Sequence, residues 1–260
     1  DVVTDALEGY RFNEAALGLY RFVWDRFCDW YLELAKPVLD GGGPAAAETR
    51  ATAAWVLGRV FRLLHPMMPF VTEALDEQLL GGEPHGLIVA DWPAAVAIDD
   101  RGARREIEWL IALVSEIRTA RSELRVPASA KLALWVAEGD DTVRARLAAW
   151  RPAIERLARL DGVHEGMPDT AGGTLQVIVD GVTYVLPLAG HVDIAEERAR
   201  LDKEMAKLET DVAKLDQKLA NPQFVAKAPE AVVEEQRERR AAQAETLARL
   251  QAAAARLEGR

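Results

Sequence analysis

LDKEMAKLETDVAKLDQKLANPQFVAKAPEAVV, residues 201–233, is the stretch that decides how this chain folds. Leu201, Met205, Leu208, Val212, Leu215 and Leu219 alternate steps of four and three, the spacing of one apolar stripe on a helix that winds around a partner. The stripe breaks at Asn221-Pro222, because proline cannot continue a helix. Pro229 then suits the first turn of a new helix, where its missing N–H is not needed. A second stripe follows at Val233, Leu247, Leu250 and Leu257, weakened by Gln236, Arg240, Gln243 and Ala254 at its seam. Polar seam residues lower stability while fixing register. Two stripes joined by a short turn predict an antiparallel coiled-coil hairpin over 192–260. Its first helix, Ile194 to Ala220, extends about 40 Å at the helical rise.

Outward from the hairpin, the preceding residues predict helices. An aromatic-rich helix covers 12–39, with Phe12, Leu19, Tyr20, Phe22, Val23, Trp24, Phe27, Trp30, Tyr31 and Leu34 at helical spacing. A second covers 45–64, with Trp55, Val56, Val60, Phe61 and Leu64 inward, and a third covers 102–124. His65-Pro66-Met67-Met68-Pro69-Phe70 breaks the run before a short helix to Leu80. Short connections make these an antiparallel bundle over 1–127. The period then changes. Leu132, Leu134 and Val136 alternate as a strand does, a helix follows at 141–160, and residues 176–179 and 183–186 flank Asp180-Gly181, a hairpin turn pair. A small α/β segment over 128–191 results. The fold class is therefore mainly α: helix bundle, small mixed α/β segment, C-terminal coiled-coil hairpin.

Composition narrows the function. Half of the residues are hydrophobic and 28% are charged, which specifies a folded chain. A single cysteine, Cys28, excludes an internal disulfide framework and fits a reducing cytoplasm. No run reaches the length of a membrane span. The opening Val2-Val3-Thr4-Asp5-Ala6-Leu7 is a fragment of amphipathic pattern with no initiating Met, as expected of a piece of a longer protein. Net charge is −10, yet residues 196–260 hold thirteen basic and thirteen acidic side chains, so the acid excess belongs to the body. Phosphate binding depends on local clusters more than on the total.

No catalytic constellation is present. The histidines at 65, 85, 164 and 191 share no metal-ligand spacing, and His65, ahead of Pro66, reads as a helix-terminal hydrogen-bonder. Cys28 reads as a small core hydrophobe, and Gly41-Gly42-Gly43 lacks the downstream Lys-Ser/Thr of a phosphate loop. The rings at 20–31 could stack on RNA bases, but their helical spacing argues for core. Arg118, Arg121 and Arg125, leading to Lys131, lie near one helix face and suit phosphate; the alternative is a solvated face paired with Glu116 and Glu123. On the hairpin, Arg198, Lys203, Lys207, Lys214 and Lys218 line one helix, and Arg237, Arg239 and Arg240 begin the return. As a stripe on a rod they suit an RNA backbone, which asks for charge and shape.

Several of these stretches resemble one family. Cys28 through Pro37 (CDWYLELAKP), His65-Pro66 with Met68-Pro69-Phe70-Val71-Thr72-Glu73, and Ile117-Arg118 through Val126-Pro127 resemble the anticodon-binding bundle of bacterial valyl-tRNA synthetases. Val192-Asp193-Ile194, Glu197-Arg198, Arg200-Leu201, Lys203-Glu204, Lys218-Leu219-Ala220-Asn221, Phe224, Ala228-Pro229 and Val232-Val233 resemble that family's C-terminal arm. Asp76 departs from it, standing where an aromatic is usual, and is expected to pack locally. The resemblance implies a bundle that reads the anticodon of valine tRNA, an arm on the RNA elbow, and the remainder of the synthetase chain as a partner. It further implies that ATP and Mg²⁺ belong to a catalytic domain absent from these residues, so that this segment, expected as a monomer in the cytoplasm, joins no valine to tRNA by itself. The rival is a protein-interaction or dimerisation coiled coil.

Overall fold

The computed structural model describes residues 1–83, 85–96, 100–168 and 173–258. It divides into two compact units, Asp1–Asp100 and Arg101–Arg260.

The first unit is helical. α1 (Val2–Glu8) packs on α2 (Phe12–Arg21), and a π-helical stretch, Phe22–Leu32, carries the chain into α3 (Glu33–Gly41) and α4 (Gly43–Leu64). Pro66 and Pro69 interrupt, and α5 (Pro69–Leu75) runs into a second π-helical stretch, Asp76–Leu80. The predicted helix over 12–39 is thus continuous but changes its winding. Hydrogen bonds five residues apart widen the coil, so a four-three pattern no longer stays on one side. Leu19 and Phe27 are buried, Phe27 stacks on Tyr31 at 5.3 Å, and the Tyr31 hydroxyl donates to the Thr49 carbonyl at 3.0 Å. Phe12, Tyr20, Phe22 and Trp24 remain exposed, and so does Trp55 on α4. Core burial of nearly all the rings is therefore not what the chain does.

The Pro-flanked turn is tied as its sequence suggests. His65 Nδ1 meets the buried Thr72 hydroxyl at 2.9 Å, and Glu73 Oε1 accepts from the Leu87 N–H at 3.3 Å. Asp76 packs locally: its carboxylate lies against Gly82, and its carbonyl accepts from the Gly82 N–H at 3.1 Å.

The second unit is built on a four-stranded sheet. α6 (Arg101–Glu123) leads to β1 (Leu132–Val136), α7 (Asp141–Ala158), β2 (Leu160–Glu165), β3 (Thr174–Val179) and β4 (Val182–Pro187), in the order β2-β1-β4-β3. β1 and β2 run parallel with α7 as their crossover, whereas β4 is antiparallel to both β1 and β3. Asp180 and Gly181 both have positive φ, as a tight hairpin turn of this kind requires. β2 was hidden in the sequence, where Leu160 continues the periodicity of α7. The helix instead ends at Arg159, whose left-handed backbone turns the chain into the strand.

α6 buries Trp109, Leu110, Leu113, Val114, Ile117 and Ala120, and packs on α7 and β3. By these contacts it belongs to the second compact unit, which begins at Arg101.

The hairpin closes the chain. α8 (Ile194–Ala220), the short α9 (Pro222–Lys227) and α10 (Glu230–Glu258) follow, and α8 packs along α10. Asp193 and Asn221 cap α8 and α9 by accepting from the N–H groups of Glu196 and Gln223. Ties between Lys218 and Gln236 and between Asp216 and Arg240 run in opposite directions, as an antiparallel pair must. Leu201, Leu215, Val233, Gln236, Ala253 and Leu257 are buried in its seam and root.

Candidate nucleic-acid interface

The four cations predicted near the end of α6 separate into distinct roles. Arg121 is inside the second unit, 6% exposed. Its guanidinium donates to the carbonyls of Arg159 at 3.3 Å, Pro127 at 3.3 Å and Ala130 at 2.7 Å. Burial first, and then the charge of Arg159, lower its pKa. A side chain spent on three internal carbonyls has no fork left for a phosphate, so Arg121 leaves the RNA-facing set. Arg118 reaches across to the Leu157 carbonyl at 2.9 Å, Arg125 lies 3.4 Å from Glu204, and Lys131 is exposed. Structural anchoring therefore accounts for most of what looked like a phosphate cluster, because α6 ends where α7, the loop to β1 and the hairpin all present carbonyls or acids.

On the hairpin the cations also sort. Arg240 pairs with Asp216 at 2.8 Å across the two helices, and that hydrogen bond raises its pKa. Lys218 donates to Gln236 at 3.3 Å and sits 4.8 Å above the Phe224 ring. Arg237 pairs with Glu234 at 3.2 Å and Lys214 with Asp211 at 3.7 Å, both within their own helix. Arg198 is exposed and engaged. Lys203 and Lys207 are exposed on one face of α8, a turn apart, with no acid partner among the described residues. Surface pairs of the Lys214 kind contribute about 0–1 kcal/mol and yield readily to a better anion.

In the first unit, Leu17, Tyr20, Val23, Trp24 and Cys28 on α2 and its π-helical continuation face Leu64, Met67 and Met68 across a groove of about 650 Å³. Tyr20 and Trp24 meet edge-on at 6.4 Å. Half-buried Cys28 lines this groove and is not a sealed core thiol. An apolar groove rimmed by half-exposed rings accepts planar groups such as bases. Sequence reasoning assigned these rings to the core; the available signal was their number, since one face of a helix cannot bury so many.

No three His, Cys, Asp or Glu side chains converge as metal ligands among the described residues, and none of their helices is long and apolar enough to cross a membrane.

Comparison with known proteins bears directly on both regions. The family described as anticodon-binding domain of tRNA ligase matches residues 1–136, and that described as valyl tRNA synthetase tRNA binding arm matches residues 193–258. The chain is 48% identical over 260 residues to a valine–tRNA ligase of Caulobacter vibrioides, with 98% of this chain and 29% of the relative covered. It is 47% identical over 255 residues to the valine–tRNA ligase of Rhizorhabdus wittichii, covering 97% of this chain and 28% of the relative. The chain thus spans less than a third of the length of these relatives. The first match begins in the helical unit and runs through α6 to β1, and the second coincides with the hairpin, so the chain belongs to the anticodon-binding domain family of tRNA ligases, in the valyl-tRNA synthetase form that also carries a tRNA-binding arm.

Proposed function

We propose that this chain grips valine tRNA on behalf of a valine–tRNA ligase, with the helical unit on the anticodon and the hairpin on the elbow of the RNA. In this reading the joining of valine to tRNA, with its ATP and Mg²⁺, belongs to the remainder of the synthetase. The labour then divides among a bundle (1–127), a linking α/β segment (128–191) and an arm (192–260), and the second family match lends support to the arm.

One observation carries the reading: Lys203 and Lys207 stand exposed, with no acid partner among the described residues, on a helical rod whose apolar seam faces α10 of the same chain. A dimerisation coiled coil needs an open seam. Here the seam of α8 is covered by α10 of the same chain, which favours RNA over a second copy and a monomer over a dimer. Free ammonium groups on a rod hold a phosphate backbone through charge without reading bases. Contacts so far from the reacting centre act by holding the acceptor end in position, and therefore reach rate as well as affinity.

Salt dependence tests it. Affinity of the full-length synthetase for tRNA falls with salt, and Lys203→Ala with Lys207→Ala lowers the slope of log K against log salt by about 2, roughly one per lost phosphate contact. A slope identical to that of the wild type removes these lysines from the interface.

A further inference from the structure

The root of the hairpin holds an arrangement that neither tRNA contact nor seam packing explains. Glu123 is the last residue of α6, so its carbonyl is one that the helix cannot pair internally. Arg200 of α8 donates to that carbonyl at 3.1 Å, while its guanidinium also holds Glu197, with Nε at 2.9 Å from Oε2, and Glu204 at 2.9 Å. The Glu123 carboxylate is taken by Arg256 of α10, whose other nitrogen lies 2.9 Å from Glu116. Glu116 and Glu123 are two turns apart on one face of α6, so one guanidinium spans both. Glu123 thus receives one helix of the hairpin through its backbone and the other through its side chain. Arg125 adds a looser contact to Glu204 at 3.4 Å.

These ties are not ordinary surface pairs. The side chains of Arg200, Glu197, Arg256 and Glu123 are 18%, 8%, 23% and 17% exposed. Leu201, Ala253 and Leu257 are buried at the root, where α10 also packs on β3, so the ionic ties add direction to an apolar contact that is not itself directional. Leverage makes this matter, because a tilt of about 10° at the base of a rod of about 40 Å moves its tip by roughly 7 Å.

We propose that Arg256, Arg200 and Glu123 form a clamp that sets the direction of the hairpin relative to α6, making them positioning residues for tRNA. The proposal rests on the hairpin being an RNA-binding arm, but its geometry is testable with no RNA present. In full-length synthetase with other cysteines removed, spin labels at Ala149→Cys on α7 and Gln223→Cys at the hairpin tip report the arm's direction. The wild type gives one narrow distance distribution. Arg256→Gln and Glu123→Gln each broaden it at least twofold, and Arg256→Lys, which keeps the charge, broadens it less. In aminoacylation the same variants lower kcat/KM for tRNA about fivefold, since the arm is present but misdirected, while ATP-dependent activation of valine without tRNA is unchanged. Distributions as narrow in both Gln variants as in the wild type overturn the clamp. Loss of the lysine-dependent salt slope with broadened distances intact would instead count against RNA contact alone.

Discussion

Arg121→Ala is expected to destabilise the second unit by about 3–5 kcal/mol, because a buried guanidinium bonded to three carbonyls is removed and those carbonyls are left unpaired. The three partners, Pro127, Ala130 and Arg159, belong to the loop that enters β1 and to the end of α7. Losing Arg121 therefore loosens the start of the sheet and the α7–β2 turn together. At about 2–4 °C per kcal/mol for a unit of this size, the melting temperature falls by roughly 10–15 °C. Arg121→Lys recovers only part of this, since a compact ammonium cannot spread over three carbonyls as a planar fork does. Denaturant titration of the full-length synthetase checks the result; a loss below about 1 kcal/mol contradicts the internal assignment. The salt slope of tRNA binding separates the two roles, because an internal arginine leaves it unchanged.

Shortening the arm is the second large effect. Deleting residues 206–249 and joining the helices by a glycine turn removes Lys207, Lys214, Lys218, Arg237 and Arg240. It retains Leu201, Ala253, Leu257 and the clamp at the root. The body should stay folded, and kcat/KM for tRNA should drop about a hundredfold, or about 2.7 kcal/mol. ATP-dependent activation of valine, measured without tRNA, is expected to persist, since it needs none of these contacts. An equal loss in both assays would mean that the shortened arm disturbs the catalytic part and not tRNA binding.

Much of the architecture was legible. The four-three stripe from Leu201 to Leu219 and the Asn221-Pro222 break correspond to α8 and its cap, and Asp180-Gly181 to the β3–β4 hairpin. Local chemistry decides those features. β2 was not legible, because whether Leu160 continues a helix or opens a strand depends on the left-handed backbone of Arg159, itself held by a bond from its guanidinium to the Ala128 carbonyl at 2.5 Å. The affiliation of α6 was hidden for a related reason: its apolar face would suit a bundle or a sheet equally, and only tertiary contact chooses. For the site, sequence identifies cations but not their occupations. Arg121 and Lys203 are both basic residues at helical spacing, yet one is enclosed by carbonyls and the other stands free. The partners of Arg200 and Arg256 are not legible in the sequence, because their acids lie distant along the chain or look like ordinary helix-surface glutamates.

Nucleotide-by-nucleotide protection of valine tRNA by the full-length synthetase, with and without residues 206–249, tests the two-point grip most directly. Protection is predicted at the anticodon loop and, separately, at the elbow, with the elbow alone exposed once the arm is shortened. Elbow protection that survives the shortening, or an anticodon footprint that vanishes with it, would contradict a grip divided between the helical unit and the arm.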